Sequence, residues 1–337
     1  MSKKYVNKLP CQLISSVSKL TNSKLTMSKR ISFTLASSLT IALTLLSNPA
    51  WAGDPFRLGN PYNMGDKTEE AFDTLFREGK YQEARKDLQE AEKSDPGEPL
   101  VYALSAALAF MNEDYSMMNS YAKKTIAAAD NLVEADEASL RGNLYLAAGH
   151  FLEGAYKYKQ DGPVGAVTKL QKVFEYIDKA EAIDPNDPEL NMLKGYMELL
   201  LAVNLPFSNP EQAIEKFENK ARPPFLVNHG IAVAYRDLGN KHENDNRTKA
   251  IEYYQSALNY VEESLETIPN NPEVGYLRGQ IRYKLGKNKR DISLLEKAIE
   301  DFEKALANKE QLPPSRVTEI EYEKGVAERK LEEIKGS

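Results

Sequence analysis

Apolar residues along most of this chain recur at intervals of three and four, the spacing that lines one face of an α-helix. No run alternates with period two for long enough to make a strand. From residue 67 onward the pattern predicts helices in pairs: 67–78 with 81–93, 98–111 with 114–129, 134–159 with 164–182, 188–203 with 209–220, 224–240 with 247–267, and 272–286 with 290–307. A last helix is predicted over 315–334, after Pro313-Pro314. Three junctions punctuate the pairs: Asp95-Pro96-Gly97-Glu98-Pro99, Asp184-Pro185-Asn186-Asp187-Pro188 and Ile268-Pro269-Asn270-Asn271-Pro272. In each, the first proline stops one helix, an acidic or amide side chain caps the next, and the second proline sits in a first turn that needs no N–H. Further start signals are Asp66 with Glu69, Asn209-Pro210 with Gln212, and Ser293 with Glu296 as a capping box. The pattern therefore predicts an all-α chain of stacked hairpins, extended along one axis.

Residues 65–98 resemble a single tetratricopeptide repeat (TPR). Gly79 stands at the inter-helix turn, Tyr81 follows it, small Ala84 and Ala91 lie on the second helix, and Asp95-Pro96 closes the unit. Later hairpins keep parts of the pattern: Gly195, Ala213 and Phe217; Gly230; then Gly279, Gly286, Ala298, Phe302 and Ala305. In that family small side chains let helices approach and large aromatics lock them. Only the first unit has the family spacing of about 34 residues, and the usual tryptophan position holds Thr68, Tyr102, Asn191, Leu226 or Gly275. The resemblance implies a TPR-like solenoid of about six helical hairpins plus a C-terminal capping helix over residues 53–337. It also implies a scaffold or adaptor that binds a protein or peptide ligand. A signal peptide followed by degenerate TPR units is similar to uncharacterised exported TPR-repeat proteins of cyanobacteria.

The export reading comes from the first 52 residues, which carry seven Lys or Arg and no Asp or Glu. Lys29-Arg30 forms a charged start, Ile31–Leu46 an apolar stretch, and Ala50-Trp51-Ala52 a small-residue end that a signal peptidase would accept. Cleavage is expected before Gly53, and Met27 begins a complete signal peptide by itself. The apolar run is about 16 residues, short of the roughly 20 that span a bilayer, so no stable membrane span is expected after cleavage. The compartment is then the bacterial periplasm or the thylakoid lumen, or the exterior by secretion. The only cysteine, Cys11, falls before the cut, which leaves the mature chain no thiolate, disulfide or cysteine-ligated metal.

With those seven bases removed, 37 basic residues face 50 acidic ones, a net charge of −13 over residues 53–337. That charge argues against nucleic acid as a partner. His150 and His229 fall inside predicted helices beside apolar residues and read as packed histidines, whereas His242 falls in a polar turn and reads as solvated. No helical zinc spacing, Gly-x-Ser-x-Gly elbow or phosphate loop is present, so no cofactor, metal or catalytic residue is assigned. Acidic pairs such as Glu262-Glu263 read as wet helix faces, though they leave open an exported hydrolase-type enzyme with a carboxylate site in the groove. A structural subunit of a larger complex is the third reading. One stretch departs from the acidic background: Tyr276, Arg278, Gln280, Arg282, Tyr283 and Lys284. Aromatics and arginine are the side chains most enriched at binding hot spots, so these six residues are the candidate protein-binding surface.

Overall fold

The computed structural model describes residues 53–59, 61–204 and 210–336. The expected targeting segment, with Cys11, lies outside them, as does Asn209. Among the described residues there is no strand, and the helices pair as the periodicity predicts. The first hairpin is α1 (Asp66–Phe72, continued by a π-helical turn Asp73–Arg77) with α2 (Tyr81–Ser94). Then come α3 (Pro99–Met111) with α4 (Tyr115–Ala135), α5 (Leu140–Asp161) with α6 (Pro163–Ile183), and α7 (Pro188–Asn204) with α8 (Pro210–Glu218). The last two hairpins are α9 (Pro224–His242) with α10 (Arg247–Thr267) and α11 (Pro272–Lys289) with α12 (Ile292–Leu306), followed by α13 (Pro314–Lys335). The odd-numbered helices also touch one another in series from α1 to α13. They form one rank and the even-numbered helices back it, which is the layering of a TPR-like solenoid.

Capping sets most of the helix starts. Glu98 accepts from Leu100 N, Asp114 from Met117 N, Asp187 from Leu190 N and Asn246 from Lys249 N. Several boundaries differ from the sequence reading: α11 runs on to Lys289, α8 ends at Glu218, and Asp66 lies inside α1, whose N-cap is Gly65. α4 runs on to Ala135 and α5 starts at Leu140, because Leu132 and Val133 continue the apolar stripe and Ser139 caps α5 by accepting from Gly142 N. α12 is capped by Asp291, whose Oδ1 accepts from Leu294 N, so the expected Ser293/Glu296 capping box falls inside the helix.

The small residues act as the repeat pattern implies. Ala84 and Ala91 are completely buried. Phe217 of α8 is wedged between the backbones of α7 and α9: a Cβ on Gly195 would lie 2.5 Å from its ring and one on Gly230 2.3 Å from it. No side chain fits there, so the pair of glycines determines how closely α7, α8 and α9 assemble.

The stack is not open at its ends, as a freely extended solenoid would be. Asn271, at the start of α11, donates from Nδ2 to the carbonyls of Phe76 and Arg77 at 2.9 and 3.2 Å. Ser315, in the first turn of α13, donates to Met111 O at 3.2 Å. Arg77 stacks over Phe225 with 4.8 Å to the ring centroid. The first hairpins thus dock onto the last ones.

Candidate functional site

The same junction chemistry that caps the odd-numbered helices places charged groups along one rim of their rank. Glu98 and Asp187 are caps, while Arg141 and Glu189 project from the first turns of α5 and α7. A strap, residues 53–59 and 61–64, crosses this rim before α1 begins. Its Phe56 is held edge-on against Phe72 at 5.3 Å, and its Arg57 enters the rim. Arg57 Nη2 lies 2.6 Å from Asp187 Oδ2, and its Nη1 lies 3.0 Å from both Glu189 Oε2 and Asp54 Oδ2. Arg141 donates to Glu98 at 2.8 and 2.9 Å and from Nε to Glu189 at 3.1 Å. Tyr145 donates to Glu189 Oε1 at 2.6 Å. The Tyr62 ring lies near both guanidinium groups, the Arg57 and Arg141 carbons being 4.2 and 5.1 Å from its centroid.

Burial pushes the Glu189 carboxyl up, but Arg141 and Arg57 outweigh it and hold the group below the usual carboxylate range. Asp187 goes the other way, since its burial exceeds the pull of Arg57. Glu189 is a paired, ionised carboxylate with its lone pairs occupied. That suits positioning the strap rather than donating a proton.

Beside the cluster lies a groove of about 1170 Å³. The strap forms one wall through Arg57, Leu58 and Tyr62; the other comes from the junctions before α5, α7 and α9, through Asp136, Ile183, Asp184, Lys220 and Arg222. Val227, Ile231 and Tyr260 also line it. Leu58 is 67% exposed and Ile183 42%, so apolar surface remains open to a ligand.

The six residues singled out on the basic stretch lie on α11 and point in two directions. Tyr276, only 2% exposed, packs toward α13, and Gln280 joins its hydroxyl to Glu323 and to Arg236 of α9. Tyr283 is half-buried between the main core and the cluster of Leu295, Leu331 and Ile334. Arg278 and Arg282 instead face α12, where both pair with Asp301 at 2.7 and 2.8 Å, and Arg282 also reaches Glu262 of α10. Lys284 pairs with Glu243 at 2.9 Å. All six side chains are engaged inside the chain.

The histidines are also committed. His150 stacks on Tyr176 at 5.7 Å. Tyr196 gives its hydroxyl proton to Leu226 O and accepts from His229 Nδ1–H at 3.1 Å. Burial lowers the His229 pKa to about 4, with Arg236 and Arg316 adding to the shift. His242, expected to be solvated, is part-buried: it stacks on Tyr253 at 5.7 Å and pairs with Asp245 at 3.3 Å. Among the described residues no group of three or more His, Cys, Asp or Glu could hold a metal ion, and no helix is long and apolar enough to cross a membrane.

Arg57, Arg141 and Glu189 were not singled out by sequence. The one signal was the acidic residue on either side of Pro188, which local reasoning absorbs as a helix cap.

Residues 208–320, about a third of the chain, match the model of a family described as an uncharacterized protein conserved in bacteria (DUF2225). A solved structure titled "Crystal structure of APC/C hetero-tetramer Cut9-Hcn1" is similar at 13% identity with a TM-score of 0.30, covering 82% of this chain and 50% of that one. This chain therefore spans about half the length of that protein. No curated protein matches the sequence.

Proposed function

We propose that the protein is an exported, non-catalytic scaffold that holds an extended segment of a partner protein in the groove between the strap and the rim of α5, α7 and α9. The observation that carries this reading is the groove itself: about 1170 Å³, with Leu58 and Ile183 exposed at its edges. It exceeds the roughly 300–1,000 Å³ typical of small-molecule sites. It also runs along three successive junctions of the stack, before α5, α7 and α9, so an extended chain could touch several repeats at once. Among the carboxylates that line it, Asp187 is paired with Arg57, and Asp136 and Asp184 each accept a backbone N–H of their own turn, which favours binding over acid catalysis. Export is supported by the Ala50-Trp51-Ala52 motif and the acid-free first 52 residues.

The test is affinity capture from the exported fraction, with partners identified by mass. Ile183→Glu and Leu58→Glu should abolish capture of a groove-bound partner while circular dichroism stays unchanged. Val164→Glu, on an 84% exposed residue outside the groove lining, should leave capture intact. Equal capture by all three variants would overturn the groove assignment.

A further inference from the structure

The strap begins at Gly53, the residue that follows the Ala50-Trp51-Ala52 motif, and its backbone nitrogen meets a side-chain carboxylate. Gly53 N lies 3.0 Å from Oε2 of Glu69, a side chain in the first turns of α1. Gly53 has φ +90°, a conformation that side-chain-bearing residues rarely adopt. Immediately downstream the chain is pinned: Asp54, 2% exposed, accepts from Phe56 N at 2.8 Å and Tyr62 N at 3.0 Å. Arg57 then enters the charged rim. The nitrogen at position 53 is therefore held against a carboxylate by the contacts of the residues just downstream.

We infer that Glu69 is the receptor for the α-ammonium of Gly53, so that cleavage at Ala52–Gly53 strengthens the anchor of the strap that walls the groove. This rests on the proposed processing by a signal peptidase. Hydrolysis adds one water across the Ala52–Gly53 amide, leaving a carboxylate on Ala52 and an amine on Gly53 that takes up a proton. Before the cut, the nitrogen is a neutral amide with one N–H. Afterwards it is a cation with three donors, and the contact to Glu69 becomes a charge-assisted ion pair. A carboxylate needs no rearrangement to receive it, because the distance is already that of a hydrogen bond. Processing, strap and groove are then coupled through a single side chain.

The experiment uses the full chain, expressed with its own leader and recovered after export, as wild type and as Glu69→Gln. Intact mass first reads the N-terminus. The rate at which the terminal amine is acylated near neutral pH is then measured, followed by thermal midpoints before and after acylation. An ammonium held by a carboxylate titrates about half to one unit higher, so acylation of the wild type should be about threefold to tenfold slower than that of Glu69→Gln. Acylation should lower the wild-type midpoint by about 2–4 °C, to the level of the variant, and leave the variant unmoved. A mature chain starting elsewhere overturns both processing and anchor. A chain starting at Gly53 that is acylated at the variant's rate, with no change in midpoint, overturns the anchor alone. If Glu69→Gln does not fold, the wild-type midpoint before and after acylation still decides the matter.

Discussion

Asn271 and Phe76 are 195 residues apart in sequence, yet the Asn271 amide donates to the Phe76 carbonyl at 2.9 Å. The same side chain caps α11, its Oδ1 accepting from Glu273 N and Val274 N at 3.0 and 3.1 Å. One amide therefore serves the start of α11 and the end of α1. Asn271→Ala should cost about 2–3 kcal/mol, from a lost cap plus buried carbonyls left without a donor. Asn271→Asp keeps the acceptor but loses the donor, so urea unfolding should show that it does not restore wild-type stability.

Removing one member of the buried ion cluster should be costly in a way that removing a surface charge is not. Arg141→Met leaves Glu98 and Glu189 without their main cation, and the expected loss is about 3–5 kcal/mol. Lys179→Met, which breaks an exposed pair with Glu175, should change stability by less than about 1 kcal/mol. Chemical denaturation of the two variants side by side makes the comparison.

Adding one methyl group beside Phe217 should be felt at once. Gly230→Ala places a Cβ 2.3 Å from the ring, and α7, α8 and α9 cannot separate without losing their contacts. The expected destabilisation is about 1–3 kcal/mol, read from the thermal midpoint.

Tyr276→Ala separates a packing role from a recognition role. The ring is 2% exposed and lies 5.8 Å from Phe302, so truncation should cost about 3–5 kcal/mol of stability. Capture of a partner by whatever fraction remains folded should be unaffected. Weakened capture without lost stability would contradict the packing role.

Acid should weaken the fold through His229. Its folded pKa of about 4 lies below the ordinary 6.5, so above pH 6.5 both states are neutral and the group contributes nothing. As pH falls toward 4 the unfolded chain takes up a proton that the folded chain refuses, and stability drops by about 2–3 kcal/mol. His229→Asn should remove this part of the pH dependence between 6.5 and 4, measurable by urea titrations across that range.

Much of the architecture was legible locally. The helix pairs follow from a 3.6-residue period interrupted by proline, and the contacts of Phe217 with Gly195 and Gly230 follow from a large residue facing two small ones. Where local reading slipped, a nearer competitor won: Asp291 took the cap assigned to Ser293, and Leu132 and Val133 carried α4 past its expected end. On α11 it recognised an unusual density of arginine and tyrosine but could not see what neutralises it. Tyr276 and Gln280 point toward α9 and α13, while Arg278 and Arg282 point toward α12, and each partner lies about 20 or more residues away.

What the sequence by itself determined, then, is the set of helices, their pairing and the small-against-large contacts that hold neighbours together. All of these depend on residues within one or two hairpins. Only the tertiary structure decided that Asn271 reaches Phe76, that Ser315 reaches Met111, and that Arg57 meets Asp187 and Glu189 more than a hundred positions later. Those contacts depend on the accumulated rotation of successive hairpins. A small angle at each junction, set by packing rather than by any local motif, sums over the stack to bring its two ends and the strap together.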